Sequence, residues 1–295
     1  MTATYYLGVD ASEPSRAAVR WGLRRAVERN AAVELVHVVD DEWGQLGHSY
    51  AQEANRRATE LLADELTSAL VLNPALRIST RMLRGGPSWE LAALPTPDDL
   101  LIIGTHKTGV LHGRVLGSRS VQIASAARSS VAIVPDTPHE TRRGVVVGVD
   151  RFEGSTSAVA CAAWEAQELG QDLLLVHAQP NRTGSAEAQG TPDAQGKAED
   201  QGSAHTEAGD EGQRLLLAAA EIAAVTAPSV TVRRHSARSL PAEALLDASH
   251  DASLLVLGVS HPRRDGQALI GSVTHDVLMN INVPVLIARH AARVP

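Results

Sequence analysis

The chain repeats itself, and this limits its fold more than any local pattern, because copies of one unit must bury faces of the same kind. Leu7-Gly8-Val9-Asp10 returns as Val147-Gly148-Val149-Asp150, and Leu35-Val36-His37-Val38 returns as Leu175-Val176-His177-Ala178. Asp10 and His37 lie 27 residues apart, as do Asp150 and His177. Leu100-Leu101-Ile102-Ile103-Gly104 matches Leu254-Leu255-Val256-Leu257-Gly258. Gly117-Ser118 then matches Gly271-Ser272, 13 residues past the earlier glycine in each copy. The offset between copies is 140 residues early and 154 late, so copy two carries 14 extra residues between its second and third strands.

That extra length falls in residues 179–213, dominated by Gly, Ala, Gln, Glu, Asp, Ser and Thr. So few apolar side chains cannot offset the entropy of ordering, and the segment reads as a disordered insertion. It is no interdomain linker, because both flanks align inside one copy. The linker is the stretch 139–143, between Pro135-Asp136-Thr137-Pro138 and the strand that follows Arg142-Arg143. Two domains, 1–138 and 144–295, fit a 295-residue chain at roughly 100–200 residues per domain.

Each copy alternates short apolar runs with longer helical patterns. In copy one the runs are 5–9, 33–39, 78–83, 100–104 and 131–134. Several are almost continuously apolar, as strands covered on both faces must be. Residues 15–29 place Ala18, Val19, Leu23, Ala26 and Val27 on one helical face, with Ser12 or Ser15 as cap and Pro14 near the first turn. Residues 52–72, 88–94 and 118–127 complete the helices. The fold class is therefore α/β: two tandem doubly wound domains, each a five-stranded, mostly parallel sheet with helices on both faces. With only four Trp, three Tyr and one Phe, the core must be aliphatic.

Composition excludes several functions. A formal net charge of −7 and the lack of any basic run speak against a nucleic-acid partner. Cys161, the single cysteine, can form neither an intrachain disulfide nor a cysteine zinc site. It falls mid-helix where copy one has Trp21, and reads as a small buried thiol. No stretch approaches the ~18 apolar residues of a membrane span, and the N-terminus enters a strand without a signal-peptide pattern. A cytoplasmic chain without a membrane partner is the expectation.

Ligands in doubly wound sheets bind beyond the carboxyl ends of the strands, where strand order reverses. At one such end stands Gly104-Thr105-His106-Lys107-Thr108-Gly109, followed by Gly113 and Gly117-Ser118-Arg119-Ser120. Copy two has Gly258-Val259-Ser260-His261, Gly266 and Gly271-Ser272-Val273-Thr274. Glycines that let backbone approach an anion, before a helix N-terminus, suit a phosphate. A serine-capped strand–turn–helix joint would read the same way. Asp10 and Asp150 can accept from a ribose hydroxyl or cap the next helix. His37 and His177, inside apolar strands, read as core histidines satisfied by backbone rather than as metal or catalytic groups. No Walker loop, nucleophile elbow or His-Glu-x-x-His helix is present, so no catalytic residue is assigned.

Taken in order, Val-Gly-Val-Asp-x-Ser, Leu-Val-His and Gly-x2-Gly-x9-Gly-[Ser/Thr] resemble the universal stress protein family, in the tandem form found in actinobacteria. The resemblance spans nearly the whole chain outside 179–213. It implies sheets of order 3-2-1-4-5 and a stress-response role in which ATP, with Mg2+ as its companion ion, is a regulatory ligand without turnover. By position, Asp10 would face ribose and adenine, and the Val39 backbone the adenine ring. Gly104, His106, Gly117, Ser118 and Ser120 would surround the phosphates. The positions assigned in copy two are Asp150, Ala178, Gly258, Ser260, Gly271, Ser272 and Thr274. Both copies depart from the family at the loop's second glycine, which is Lys107 in one and His261, followed by Pro262, in the other. Lys107 could supply a cation to the phosphates, whereas Pro262 removes an amide. Two other readings stay open: a nucleotide-free interaction module with degenerate loops, and a weak ATPase. The family also implies that the last strands of the two copies, Val131-Ala132-Ile133-Val134 and Val283-Pro284-Val285-Leu286-Ile287, pair as an intramolecular pseudo-dimer, and it allows two chains to associate as a homodimer.

Overall fold

Apolar runs become strands and the amphipathic stretches between them become helices, in the order predicted. The computed structural model describes residues 3–40, 48–105, 110–111, 114–115, 118–137, 141–150, 153–179, 198–259 and 270–289. The first half contains β1 (Thr4–Gly8), α1 (Glu13–Glu28), β2 (Ala32–Val39), α2 (His48–Leu72), β3 (Ile78–Arg84), α3 (Pro87–Ala93) and β4 (Leu100–Thr105). A small hairpin, β5 (Val110–Leu111) and β6 (Arg114–Val115), comes next, then α4 (Ser118–Ala126) and β7 (Ser130–Pro135). The second half repeats the scheme as β8 (Val145–Gly148), α5 (Glu153–Leu169), β9 (Leu173–Ala178), α6 (Ala198–Thr226), β10 (Val232–Ala237), α7 (Pro241–Ala248), β11 (Leu254–Gly258), α8 (Ser272–Met279) and β12 (Val285–Ala288).

Two features differ from the sequence reading. The two-residue strands β5 and β6 were not expected. Residues 198–213, expected to be part of a disordered insertion, form the first half of α6. Its intrinsic helix propensity is mixed, with Ala, Glu and Gln set against Gly202, Gly209 and Gly212, and it continues into a stretch whose Leu216, Ala219 and Ala223 are buried. Low apolar content alone therefore misjudged it. The rest of 179–213 beyond Gln179 lies outside the described residues.

Each half has the order 3-2-1-4-5, and the two halves form one ten-stranded sheet, β10-β9-β8-β11-β12-β7-β4-β1-β2-β3. Every neighbouring pair is parallel except β12–β7. There Val285 pairs with Ile133, Leu286 with Ala132 and Ile287 with Val131. Ala132 and Leu286 are equivalent at the 154-residue offset, so the pair lies on a pseudo-twofold axis. The expected intramolecular pseudo-dimer is thus present, and it covers the edge that each fifth strand would otherwise expose. The guanidinium of Arg289 donates to the Ala124 carbonyl across the junction, and the Arg142 guanidinium donates to the Asn282 carbonyl at 2.7 Å.

Aliphatic side chains fill both faces. One layer gathers α1, α2, α5 and α6 around Leu7, Leu35, Leu175 and Leu254, and the other gathers α3, α4, α7 and α8 around Leu101, Ile133, Leu255 and Ile287. Cys161 is buried in the first layer, where desolvation of the thiolate pushes the thiol up to about 11. Its folded value lies above its unfolded one, so it adds stability below about pH 9 that is lost as pH rises toward 11. A disulfide reagent at pH 8 should leave the native chain unlabelled and modify one thiol per chain in denaturant. Labelling of the native protein at the denatured rate would contradict this burial.

Candidate functional site

Two clefts stand at equivalent places, each beyond the carboxyl ends of the first, second and fourth strands of its half. The crossover through α1 runs to one side of β1 and the chain returns to β4 on the other, which makes this the switch point of the sheet. Cleft one, about 250 Å3, lies between the ends of β1, β2 and β4 and the N-termini of α1, α3 and α4. Cleft two, about 280 Å3, lies in the same setting around Asp150, His177 and Gly258. Both volumes are near the lower end of small-ligand pockets.

Asp10 begins the turn into α1. Its Oδ1 accepts from the Ser12 N–H at 3.0 Å and the Ser12 hydroxyl at 2.5 Å, while Ser12, the N-cap, accepts from the Ser15 N–H at 3.3 Å. The carboxylate thus braces the cap and also lines the cleft. Ser15 and Ser155, equivalent at the 140-residue offset, hold the aspartates' own amides: the N–H donates to the serine Oγ at 3.2 Å for Asp10 and 2.7 Å for Asp150. Sequence reasoning did not pair these serines, although the 140-residue repeat offset is the signal that does so.

The strand histidines behave as backbone-satisfied groups. His37 Nδ1–H donates to the Val9 carbonyl at 2.7 Å, and His177 Nδ1–H donates to the Val149 carbonyl at 2.8 Å. A proton on Nδ1 leaves Nε2 as an acceptor, and His177 Nε2 takes a bond from the Gln179 amide at 3.2 Å. Helix α6 covers this ring closely: a Cβ on Gly212 would stand 2.8 Å from His177 Cδ2.

Other expected site residues divide three ways. Gly104, Ser120, Asp150, Ala178, Gly258, Gly271, Ser272 and Thr274 line the clefts, with Ser120 and Thr274 buried. Ser118 opens α4. His106, Lys107, Gly117 and Ser260, like His261 and Pro262, lie outside the described residues. Val39 is not among the lining residues: Val38 and Asp40 are, and the Val39 carbonyl is taken by the Gly85 N–H at 3.1 Å. At the 140-residue offset the counterpart of Ala178 is Val38 rather than Val39. Sequence reasoning also passed over an ion pair in cleft one, Arg119 to Asp40 at 3.6 Å, whose positions are Val273 and Pro180 in the second copy. Among the described residues no three metal-ligating side chains come together.

The glycine at position 104 has a packing reason of its own. A Cβ there would lie 2.2 Å from the Pro14 carbonyl oxygen and 2.6 Å from the Ser15 nitrogen, so the start of α1 rests directly on the end of β4. Because the obstacle is backbone, Gly104→Ala should destabilise the protein by about 3 kcal/mol, the upper part of the overpacking range. Chemical denaturation reads this, and an unchanged midpoint would show that α1 is not held against the strand.

Comparison with known proteins agrees with this geometry. The pattern of the universal stress protein family matches residues 5–135 and again 141–289. A universal stress protein of Mycobacterium tuberculosis is 28% identical over 306 residues, covering 96% of this chain and 94% of the relative. One from Mycolicibacterium smegmatis is 28% identical over 303 residues, covering 98% of each. A crystal structure of a universal stress protein from Archaeoglobus fulgidus superposes with a TM-score of 0.64 at 15% identity, over 98% of this chain and 96% of that one, which supports the fold. With two consecutive matches spanning both halves, the chain belongs to the universal stress protein family.

Proposed function

We propose that each half binds one adenine nucleotide, ATP, in its strand-end cleft, as a regulatory ligand without turnover in a cytoplasmic stress response. One observation carries this reading. Helix α8 opens on Gly271 with no side-chain cap, and its first internal bond is His275 N–H to the Gly271 carbonyl at 3.0 Å. The amides of Ser272, Val273 and Thr274 precede that bond, beside cleft two. Such amides, with the helix dipole behind them, suit a phosphate. Asp150 lines the same cleft and offers a carboxylate to ribose hydroxyls. Mg2+ would come with the nucleotide and screen its phosphate charge.

The histidines lining the clefts are committed through Nδ1 to backbone carbonyls, and Asp10 is committed to its cap, so these groups position rather than transfer protons. A route for regulation lies in α4 and α8, whose N-termini border the two clefts and which pack against each other across the junction. A ligand that orders one helix start biases the arrangement its neighbour meets. No helix among the described residues is long and apolar enough to cross a membrane.

Calorimetric titration with ATP should find two sites per chain. Ser272→Asp should remove one and Ser118→Asp/Ser272→Asp both, because an added carboxylate repels the triphosphate. The same carboxylate favours a helix start, so midpoints without nucleotide should hold or rise slightly. No binding at millimolar ATP, or a double variant that binds like wild type, would refute the nucleotide reading. Phosphate release that the double variant abolishes would refute the claim of no turnover.

A further inference from the structure

The pseudo-twofold axis brings a second pair of equivalent residues together. At the 140-residue offset Arg25 of α1 is the counterpart of Glu165 of α5, and the two side chains are in direct contact across the junction. Arg29 reaches the same carboxylate oxygen at 2.8 Å and donates to the Tyr5 hydroxyl at 3.1 Å. Both guanidiniums lie over indoles, Arg25 at 4.3 Å from the Trp21 ring and Arg29 at 4.0 Å from that of Trp164. Water barely reaches the group: Arg25 is 5% exposed and Glu165 2%.

An axis of this kind sets a position against itself. If two first halves met through their fifth strands, Arg25 would face Arg25, with both Arg29 side chains beside them and no Glu165. If two second halves met, Glu165 would face Glu165, and the positions of Arg29 would hold Leu169. Uncompensated like charges in a buried site cost several kcal/mol. Burial and the neighbouring Arg29 charge pull the Arg25 guanidinium down to about 9. The backbone offers no comparable discrimination, since fifth strands with Val131-Ala132-Ile133 and Val285-Leu286-Ile287 would pair with themselves readily.

We propose that the buried Arg25–Arg29–Glu165 cluster is a pairing code: the surface around the junction accepts the unlike half of this chain and rejects another copy of the same half. The code acts when it is most needed. At roughly 5–20 residues per second, a first half waits on the order of ten seconds for the second to be made, with its apolar β7 edge open to other first halves.

Single substitutions in the full chain recreate the forbidden pairs. Glu165→Arg sets arginine against arginine, Arg25→Glu sets glutamate against glutamate, and the double variant exchanges the two charges while keeping two arginines and one carboxylate. Arg25→Met removes charge without adding repulsion and leaves Glu165 with Arg29. In scanning calorimetry each charge-reversing single variant should unfold on the order of 10 °C below wild type. Arg25→Met should lose less than half as much as Arg25→Glu, and the exchanged double variant should recover to within a few degrees. The proposal is overturned if the double variant unfolds no higher than the weaker single, or if Arg25→Met falls as far as Arg25→Glu. Should a single variant fail to fold, the exchange decides alone: a double variant folded near the wild-type midpoint supports the code, and an unfolded one overturns it.

Discussion

The antiparallel pairing of β7 with β12 holds the architecture together. Each half of a doubly wound unit ends in an apolar fifth strand whose outer edge has hydrogen-bonding groups to satisfy. Joining the two edges about Ala132 and Leu286 makes one continuous sheet and leaves β3 and β10 as its outer strands. Those outer strands carry Arg81 and Arg84 on one side and Arg233 and Arg234 on the other, charged side chains that discourage further pairing. The junction also fixes α1 against α5 on one face and α4 against α8 on the other. The helix starts proposed to meet phosphate and the charged cluster at the junction are mounted on those four helices.

Duplication has let the two halves diverge around a shared frame. The aspartate after the first strand, the serine holding its amide and the histidine bonded to the carbonyl just before the aspartate recur in both halves. Around them the walls differ. Cleft one has the Asp40–Arg119 ion pair at its edge, whereas in cleft two His177 sits beneath α6 at Gly212. The same floor with different walls is what two sites for one ligand class, tuned separately, would require. At the junction divergence went further, turning one equivalent position into arginine and the other into glutamate.

Much of this was legible in the sequence, for definite reasons. Strand and helix positions followed from apolar runs that repeat at a fixed offset, and the histidines' structural role followed from their place inside such runs. The first half of α6 was missed because its sparse apolar residues gave no sign that the helix of the buried stretch beyond it extends back to Ala198. Gly104 was read as a phosphate-loop glycine, yet its missing side chain makes room for the Pro14 carbonyl, a contact between residues 90 positions apart that no local pattern displays. Val39 was placed at the cleft, but a one-residue shift along the strand belongs to Val38, and the repeat offset already contained that answer. No local pattern marks Arg25 or Glu165; their contact comes from the axis that sets the two positions against each other.

Nucleotide binding as proposed depends on the free amides at the start of α8. Hydrogen–deuterium exchange of the 270–275 segment, followed with and without saturating ATP, interrogates them directly. Occupation by phosphate oxygens predicts marked slowing there and at the start of α4, with little change in β3 and β10. Identical exchange in both conditions would contradict it and leave the clefts without the ligand assigned to them.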